Sequence, residues 1–177
     1  MEIAALASGS SGNCFYISHD NVAVLIDAGI SAKQIVQRLQ EIRGSPENLK
    51  AIFITHEHSD HVRGADVLAR KLKIPIFATK ATAQHSFLCT DKKLIQYIPN
   101  NIKIKIGNLK IEAFTKSHSA GDPVSYNVYA NKKISVITDA GYACKNIKKH
   151  VSNCHALFIE ANHDEEMLEH GPYPAFL

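Results

Sequence analysis

The chain carries the stretch His56-Glu57-His58-Ser59-Asp60-His61 directly after the apolar run Ala51-Ile52-Phe53-Ile54. Three histidines and one aspartate therefore fall within six residues, at the end of a predicted buried strand. Imidazole and carboxylate groups are ligands that suit zinc and similar divalent ions. A solvated polar loop is the alternative, but such loops are built mainly from residues such as Gly, Asn and Ser rather than histidine. The stretch therefore predicts a metal site.

The composition of the chain fits one globular domain over residues 1–177. The chain is 45% hydrophobic, and no apolar stretch approaches the roughly 20 residues that a membrane-spanning helix needs. The N-terminus lacks a signal-peptide pattern, and the four scattered cysteines form no Cys-x-x-Cys pair. We therefore expect free thiols, a cytoplasmic location and no membrane partner. Neither composition nor patterning indicates an oligomeric state.

The charge of the chain is unevenly distributed. The net charge is +3, but all 20 Lys and Arg precede residue 155, and the residues after it contain acids and no Lys or Arg. A basic body suits a polyanionic substrate. Lysines scattered over solvated faces for solubility explain the same composition, so charge alone leaves both interpretations open.

Hydrophobic patterning predicts alternating strands and helices. A capping box, Ser31-Ala32-Lys33-Gln34, opens one helix, and others are predicted near 62–72 and 81–88. After residue 94 the pattern changes to strands joined by hairpin turns at 107–108 and 131–132. The fold class is therefore α/β (α+β), with two sheets packed face to face and helices outside. The predicted strands are 3–7, 14–18, 22–27, 51–55, 75–78, 102–106, 109–115, 124–130, 133–138 and 156–161.

Two more candidate ligands, His118 and Asp139, each follow a later apolar strand. The first two histidines of the stretch are two residues apart and can face one ion. Its aspartate and last histidine are adjacent, so their side chains diverge and would bind a second ion nearby. An aspartate placed like Asp139 can bridge both ions. The predicted ligands are His56, His58, His118 and Asp139 for metal one, and Asp60, His61 and Asp139 for metal two.

Two other kinds of metal site do not fit the spacing. A helical His-Glu-x-x-His zinc site needs a second histidine where Asp60 stands, and a zinc finger needs cysteine pairs that this sequence lacks. Histidine and aspartate ligands accept several divalent ions according to availability. The expected cofactors are therefore two divalent ions, zinc or manganese, with iron as a further option.

The His-x-His-x-Asp-His pattern, a single downstream histidine and Thr-Asp-Ala-Gly at 138–141 resemble the metallo-β-lactamase superfamily. Further segments resemble its WalJ/YycJ-like branch, near transfer-RNA 3′-processing endonucleases and PhnP-like phosphodiesterases. The resemblance covers nearly the whole chain. The further segments are Ala-Ser-Gly-Ser-Ser-Gly-Asn-Cys at 7–14, Leu-Ile-Asp-Ala-Gly at 25–29, Glu-Ala-Asn-His-Asp at 160–164 and Gly-Pro-Tyr-Pro at 171–174.

The resemblance implies a four-layer αβ/βα sandwich with a dinuclear site along one edge of the two sheets. It also implies phosphodiester hydrolysis by a metal-bridging hydroxide, with a DNA exonuclease as the favoured activity and DNA favoured over RNA as the substrate. We expect Asp60 to orient the hydroxide, Glu160 to orient an acidic group that protonates the leaving oxygen, and His163 either to assist or to lie on the surface. Asp27 is expected to hydrogen bond to a ligand histidine.

The C-terminal end departs from the resemblance. Relatives are expected to continue into a Gly-His-Leu-Ser-Asn segment whose histidine completes metal two, whereas this chain ends at Leu177. We expect a sandwich truncated at the C-terminus, with metal two bound more weakly. The alternative is that His155, His163 or His170 substitutes for the missing histidine.

Two other functions remain open on sequence alone, and so does the role of one loop. A thioester hydrolase of the glyoxalase II type uses the same metals, and its preference for thioesters over phosphodiesters would identify it. A non-catalytic nucleic-acid-binding or scaffold subunit would keep the fold after losing metal two. The Gly- and Ser-rich loop 8–13 offers N–H groups to a phosphate, although an ordinary tight turn explains it equally well.

Overall fold

Six strands of the first half of the chain form one sheet in the order β1-β2-β3-β4-β5-β6. The structure is a computed structural model that describes residues 1–99 and 101–160. Strands β1 to β3 pair antiparallel, whereas β3 to β6 pair parallel. The strands are β1 (Glu2–Ala7), β2 (Cys14–His19), β3 (Val22–Ile26), β4 (Leu49–Phe53), β5 (Ile76–Ala78) and β6 (Ile95–Tyr97).

Five strands of the second half form the other sheet in the order β11-β10-β9-β8-β7. Its two hairpins are the predicted ones, and β11 adds in parallel to β10. These strands are β7 (Lys103–Ile106), β8 (Leu109–Thr115), β9 (Val124–Tyr129), β10 (Lys133–Ile137) and β11 (Ala156–Ile159).

Helices cover the outer faces of both sheets. Helix α1 contacts β1 and helix α3 contacts β4, while helix α5 packs on β8 of the second sheet. Among the residues described, no helix is long and apolar enough to cross a membrane. The helices are α1 (Ala32–Glu41), α2 (Ser59–Val62), α3 (Ala65–Leu72), α4 (Lys80–His85) and α5 (Lys145–Val151), with short 3₁₀ turns at Pro46–Asn48 and Lys92–Leu94.

The core has three apolar layers because the central strands are apolar on both faces. One layer lies between the first sheet and its helices and includes Leu39 and Leu68. A second lies between the two sheets, where Phe53 meets Tyr126 edge to face at 5.5 Å. A third, small layer lies beneath α5 around Phe114. The helix–sheet–sheet–helix arrangement confirms the predicted sandwich.

Three elements differ from the sequence prediction. Strand β6 and helix α5 were not predicted, because three and seven residues are too short to show a periodic pattern. The helix predicted near 62–72 is two helices, α2 and α3. The first sheet contains parallel strands because helical connections join β3 to β4 and β4 to β5. The predicted capping box of α1 is confirmed, with both reciprocal hydrogen bonds between Ser31 and Gln34 present.

The carboxyl ends of five strands meet at one edge of the sandwich. Strands β3 and β4 run parallel in one sheet, and β8, β10 and β11 share a direction in the other. Asp27 and Asp139, which follow β3 and β10, have positive φ angles of 62° and 45°. This conformation is costly for residues other than glycine and concentrates at functional sites. It turns both side chains away from their strand directions at the shared edge.

Candidate metal centre

Three histidines bring ring nitrogens together on one side of this edge. The Nε2 atom of His56 lies 3.0 Å from Nδ1 of His58, and Nε2 of His118 lies 3.3 Å from the same Nδ1 atom. His56 is fully buried, and its other ring nitrogen lies 2.9 Å from Oγ1 of Thr55. Because that second contact holds the ring, Nε2 of His56 is directed at the other two histidines.

A second group of ligand atoms lies beside the first. The Nε2 atom of His61 lies 2.8 Å from Oδ2 of Asp139 and 3.3 Å from Oδ2 of Asp60. The same Asp139 oxygen lies 3.5 Å from Nε2 of His56. The Asp139 carboxylate is therefore within reach of both groups, as a bridging ligand must be.

The chemistry of the two groups fits divalent metal ions. The ligand atoms of His56, His58 and His118 all lie within 4.8 Å of one another, as do those of His56, His61 and Asp139. Among the residues described, Oδ2 of Asp139 is buried yet accepts no hydrogen bond, despite its short contact with His61. In the free site the charged His61 offsets the charge of this oxygen, and a cation bound by Nε2 of His61 would take over that part.

Asp27 hydrogen bonds to residues of this centre on the side that faces away from the candidate ligand atoms. Its Oδ1 accepts the N–H of Thr55 at 2.8 Å, and its Oδ2 accepts the Thr55 hydroxyl at 2.9 Å. Oδ2 also lies 2.7 Å from Nδ1 of His61. The predicted hydrogen bond between Asp27 and a candidate ligand histidine is thereby confirmed. It leaves the opposite nitrogen of His61 directed at Asp60 and Asp139.

The two buried histidines differ in protonation when no ion is bound. Burial alone lowers the pKa of His61, but the charge of Asp27 and the nearby Asp139 and Asp60 carboxylates raise it to about 11. Burial lowers the pKa of His56 far below its usual value, and the positive charge of His61 lowers it further. At neutral pH the free site therefore holds a charged His61 beside a neutral His56.

The carboxylates also differ in protonation. A hydrogen bond with His61 lowers the pKa of Asp60. Burial raises the pKa of Asp139, but His61 and Lys116 outweigh that effect and bring it well below its usual value. In contrast, burial and the charge of Asp139 raise the pKa of Glu160. Asp60 and Asp139 are thus ionised and ready to bind cations at neutral pH.

The sequence did not identify Asn13 as part of the centre. Its side-chain nitrogen lies 3.2 Å from Nε2 of His61 and 3.4 Å from Oδ2 of Asp60. Its backbone N–H donates to the Asp60 carbonyl at 2.7 Å. The N–H groups of Gly9 and Gly12 bond within the 8–13 loop, which favours the tight-turn interpretation of that loop. Proximity to a glycine-rich turn was the only available signal for Asn13.

Glu57 and Lys116 were also not identified from the sequence. The Oε1 atom of Glu57 accepts the N–H of Gly121 at 2.7 Å and so joins the histidine stretch to the loop that carries His118. Lys116 is buried, and its ammonium group donates to the carbonyl and hydroxyl oxygens of Thr138. Burial lowers the pKa of Lys116 to about 8. No local pattern distinguishes these two residues from surface charges.

Of the remaining residues predicted from sequence, one reaches the metal centre and one lies far from it. Glu160 reaches the centre through its Oε2 atom, which accepts the N–H of Asp139 at 2.9 Å. His155 instead precedes β11 and lies beside the start of β10, where its Nδ1 accepts the N–H of Lys133. The edge with the other ligands is at the opposite end of that strand, so His155 does not complete metal two. His163 and His170 lie outside the described residues.

Comparison with known proteins agrees with this geometry. An exodeoxyribonuclease YycJ from Bacillus anthracis is 36% identical over 98% of this chain and 67% of its own length. An exodeoxyribonuclease WalJ from Streptococcus pneumoniae serotype 2 is 42% identical over 95% of this chain and 65% of its own length. This chain therefore spans about two thirds of the length of these relatives.

A solved structure shows the same fold. The subclass B3 metallo-β-lactamase MEM-A1 from a soil metagenome superimposes with a TM-score of 0.66 at 19% identity, over 84% of this chain and 73% of that one. The profile of the Beta-lactamase superfamily domain matches residues 23–174, which include every candidate ligand described above. The predicted resemblance is thereby confirmed, and the chain belongs to the beta-lactamase superfamily.

Proposed function

We propose that this chain carries the metal centre of a hydrolase that cleaves phosphodiester bonds in DNA from an end. The observation that carries the proposal is the adjacency of two ligand groups that share His56, with the Asp139 carboxylate 3.5 Å from that histidine, in a chain similar to two exodeoxyribonucleases. The proposed location is the cytoplasm, which is compatible with a DNA substrate and with the scattered free cysteines. The proposal assigns to this chain the exodeoxyribonuclease activity that is named for those two longer relatives.

Each ion would be held by residues from both sheets. His56, His58 and His118 would hold one ion, and Asp60 and His61 the other, with Asp139 between them. Zinc and manganese both suit this mixture of imidazole and carboxylate ligands. When bound, such an ion pair makes a nucleophile available from water at neutral pH and neutralises charge on a phosphodiester.

The residues of the chain would supply orientation and proton positions. The Asp60 carboxylate is 24% exposed and ionised, so it can accept a hydrogen bond from the attacking water while contacting His61. The raised pKa of Glu160 lets this side chain hold a proton closer to neutral pH than an ordinary glutamate can. A protonated Glu160 can donate a hydrogen bond, which suits its predicted role of orienting the acidic group that protonates the leaving oxygen.

The surface charge of the second sheet and its helix favours a polyanionic substrate. Residues 101–160 contain nine lysines and four acidic residues. Lys148 and Lys149 are exposed on α5, which packs on β8, the strand that leads to His118. Phosphate contacts of this kind give affinity without sequence preference, as an exonuclease requires.

Degradation assays test the proposal directly. End-labelled duplex DNA, single-stranded DNA and RNA are incubated with the chain and Mn²⁺ or Zn²⁺, beside the His58→Ala variant. We expect stepwise shortening of DNA that requires added metal and is lost in His58→Ala. Equal DNA shortening by His58→Ala would contradict the proposed centre. Metal-dependent hydrolysis of an acyl-glutathione thioester without any DNA cleavage would instead support the glyoxalase II type.

A further inference from the structure

The peptide group between Thr138 and Asp139 is held at both ends by charged side chains. Its carbonyl oxygen accepts a hydrogen bond from the ammonium group of Lys116. Its N–H donates to Oε2 of Glu160 at 2.9 Å. The two side chains come from different strands, since Lys116 follows β8 and Glu160 follows β11.

This peptide group needs such support because it leads into a strained residue. Asp139 has a φ of 45°, a conformation that residues with a side chain rarely adopt. Such conformations persist only where the surroundings impose them. Here the conformation places the Asp139 carboxylate 2.8 Å from His61 and 3.5 Å from His56. A rotation of the preceding peptide would carry the carboxylate away from one or both histidines.

Lys116 is an unusual residue to find at this position. Its side chain is only 3% exposed, and burying an ammonium group is costly. In the described part of the chain Lys116 forms no salt bridge, although its charge interacts with Asp27, Asp139 and Glu160. Its hydrogen bonds go to the carbonyl and hydroxyl of Thr138. The buried charge is therefore directed at the residue that precedes the bridging aspartate.

The contact between Lys116 and Thr138 is continued by hydrogen bonds to residues that follow β4 of the first sheet. The Thr138 hydroxyl lies 3.4 Å from that of Thr55, which in turn lies 2.9 Å from Nδ1 of His56. A chain of polar contacts thus connects Lys116 to both His56 and Asp139. Side-chain contacts behind metal ligands set the orientation and affinity of those ligands.

We propose that Lys116 and Glu160 are positioning residues that hold the Thr138–Asp139 peptide, so that the Asp139 carboxylate faces both ion positions. The inference rests on the metal centre of the proposed function but not on its substrate. Glu160 acts here through its hydrogen bond to the Asp139 backbone, whatever its role in proton transfer. The opposing explanation is that Lys116 only stabilises the fold.

Cobalt binding to the metal-free protein separates these explanations. The variants are Lys116→Met, which keeps the length but removes the charge, and Glu160→Ala, which removes the acceptor. Glu160→Gln keeps an acceptor oxygen and is the conservative rescue, while Lys110→Met, at an exposed position near the start of the strand that Lys116 follows, is the matched control. The measurements are Co²⁺ affinity, Co²⁺ stoichiometry and the visible absorption spectrum of the bound Co²⁺.

We expect Lys116→Met and Glu160→Ala each to weaken Co²⁺ binding by about 10- to 100-fold and to change its visible spectrum. Glu160→Gln and Lys110→Met should keep the original spectrum. The double variant should lose less than the product of the single losses, because both residues act on one peptide. Original affinity and spectrum in Lys116→Met with only a lower melting temperature would overturn the proposal.

Two further comparisons test the proposal even if Lys116→Met does not fold. If Lys116→Met does not fold, Lys116→Gln restores an N–H donor, and the comparison of Glu160→Ala with Glu160→Gln decides on its own. A spectrum that changes equally in Glu160→Ala and Glu160→Gln contradicts the inference. No DNA is present in this experiment, so its failure is distinct from a failure to degrade DNA.

Discussion

The Oδ2 atom of Asp27 lies 2.7 Å from Nδ1 of His61, and both side chains are fully buried. Asp27 also accepts two hydrogen bonds from Thr55, one at each carboxylate oxygen. Each of these contacts therefore requires an acceptor oxygen on the Asp27 side chain. A carboxylate meets this requirement, whereas an amide offers only one acceptor oxygen.

Asp27→Asn should weaken the centre without removing a proposed ligand. The new amide must either leave the Thr55 N–H unpaired or turn its own N–H groups toward His61. We expect a loss of about 1–3 kcal/mol in the free energy of unfolding. We also expect metal affinity to fall by about 10- to 100-fold. Urea unfolding and metal titration measure the two effects, and unchanged affinity would show that Asp27 does not orient His61.

Metal binding should release about one proton, because His61 must lose the proton that its raised pKa of about 11 retains. His56 should release none, since its lowered pKa already leaves it neutral. Between pH 7 and 9 the apparent Mn²⁺ affinity should thus rise about tenfold per pH unit. Calorimetry in buffers of different ionisation enthalpy counts the protons. Affinity that does not change with pH would contradict this protonation scheme.

The same raised pKa affects the stability of the metal-free protein. His61 binds its proton more tightly when folded than the usual histidine pKa of about 6.5 allows in the unfolded chain. Its contribution to stability is therefore complete below pH 6.5 and decreases as the pH rises toward 11. Urea unfolding of the metal-free protein at several pH values checks the direction. The variant His61→Asn should lack this component of the pH dependence.

Asp60→Asn should abolish hydrolysis while the fold persists. The amide keeps the size of the side chain but loses the charge that would bind metal two and orient water. We expect the rate of DNA degradation to fall on the order of 10²- to 10⁴-fold. The matched control is Asp20→Asn, an exposed position at the other end of the sandwich. A fully active Asp60→Asn variant would refute the proposed role.

Tyr126→Phe should destabilise the contact between the two sheets. The Tyr126 hydroxyl donates to the carbonyl of Ile54 at 2.7 Å, and both residues are fully buried. The substitution leaves that carbonyl without this partner, so we expect the free energy of unfolding to fall by about 1–3 kcal/mol. Tyr97→Phe, at a 62% exposed position, is the control and should have little effect. Equal urea midpoints for the two variants would contradict the prediction.

Gly29→Ala should displace the loop that carries Asp60. A Cβ atom on Gly29 would lie 1.5 Å from the Asp60 carbonyl oxygen and 2.6 Å from the Asn13 nitrogen. Backbone atoms must move to make room, so we expect at least about 1–3 kcal/mol of destabilisation and impaired metal binding. Gly44→Ala is the control, because its nearest contacts are at 3.3 Å. Normal metal affinity in Gly29→Ala would show that the loop adapts.

Sequence alone predicted the parts of the centre that local patterns encode. The 56–61 stretch follows a buried strand without interruption, and Asp27 ends another, so strand prediction placed both at the ends of strands. His118 and Asp139 were located by the same reasoning, and the structure brings them to the same edge. Their role as ligands stays a prediction.

Sequence could not predict residues whose environment depends on distant parts of the chain. Lys116 resembles any surface lysine until Thr138 and its strand enclose it. Asn13 becomes a neighbour of His61 only because Gly29 allows the backbone of the Asp60 loop to approach. Helix α5 is short, and its N-terminal cap is the unusual residue Cys144, so neither periodicity nor capping revealed it.

The position of the centre at the edge shared by both sheets also has a consequence for unfolding. Thr55 and Thr138, which precede His56 and Asp139, belong to different sheets and are 83 residues apart in sequence. An ion held by His56 and Asp139 would close a loop of that length, as a disulfide does, and so restrict the unfolded chain. Loss of the ion would therefore make local opening at this edge less costly, and backbone amide hydrogens beside Thr55 and Thr138 would exchange faster.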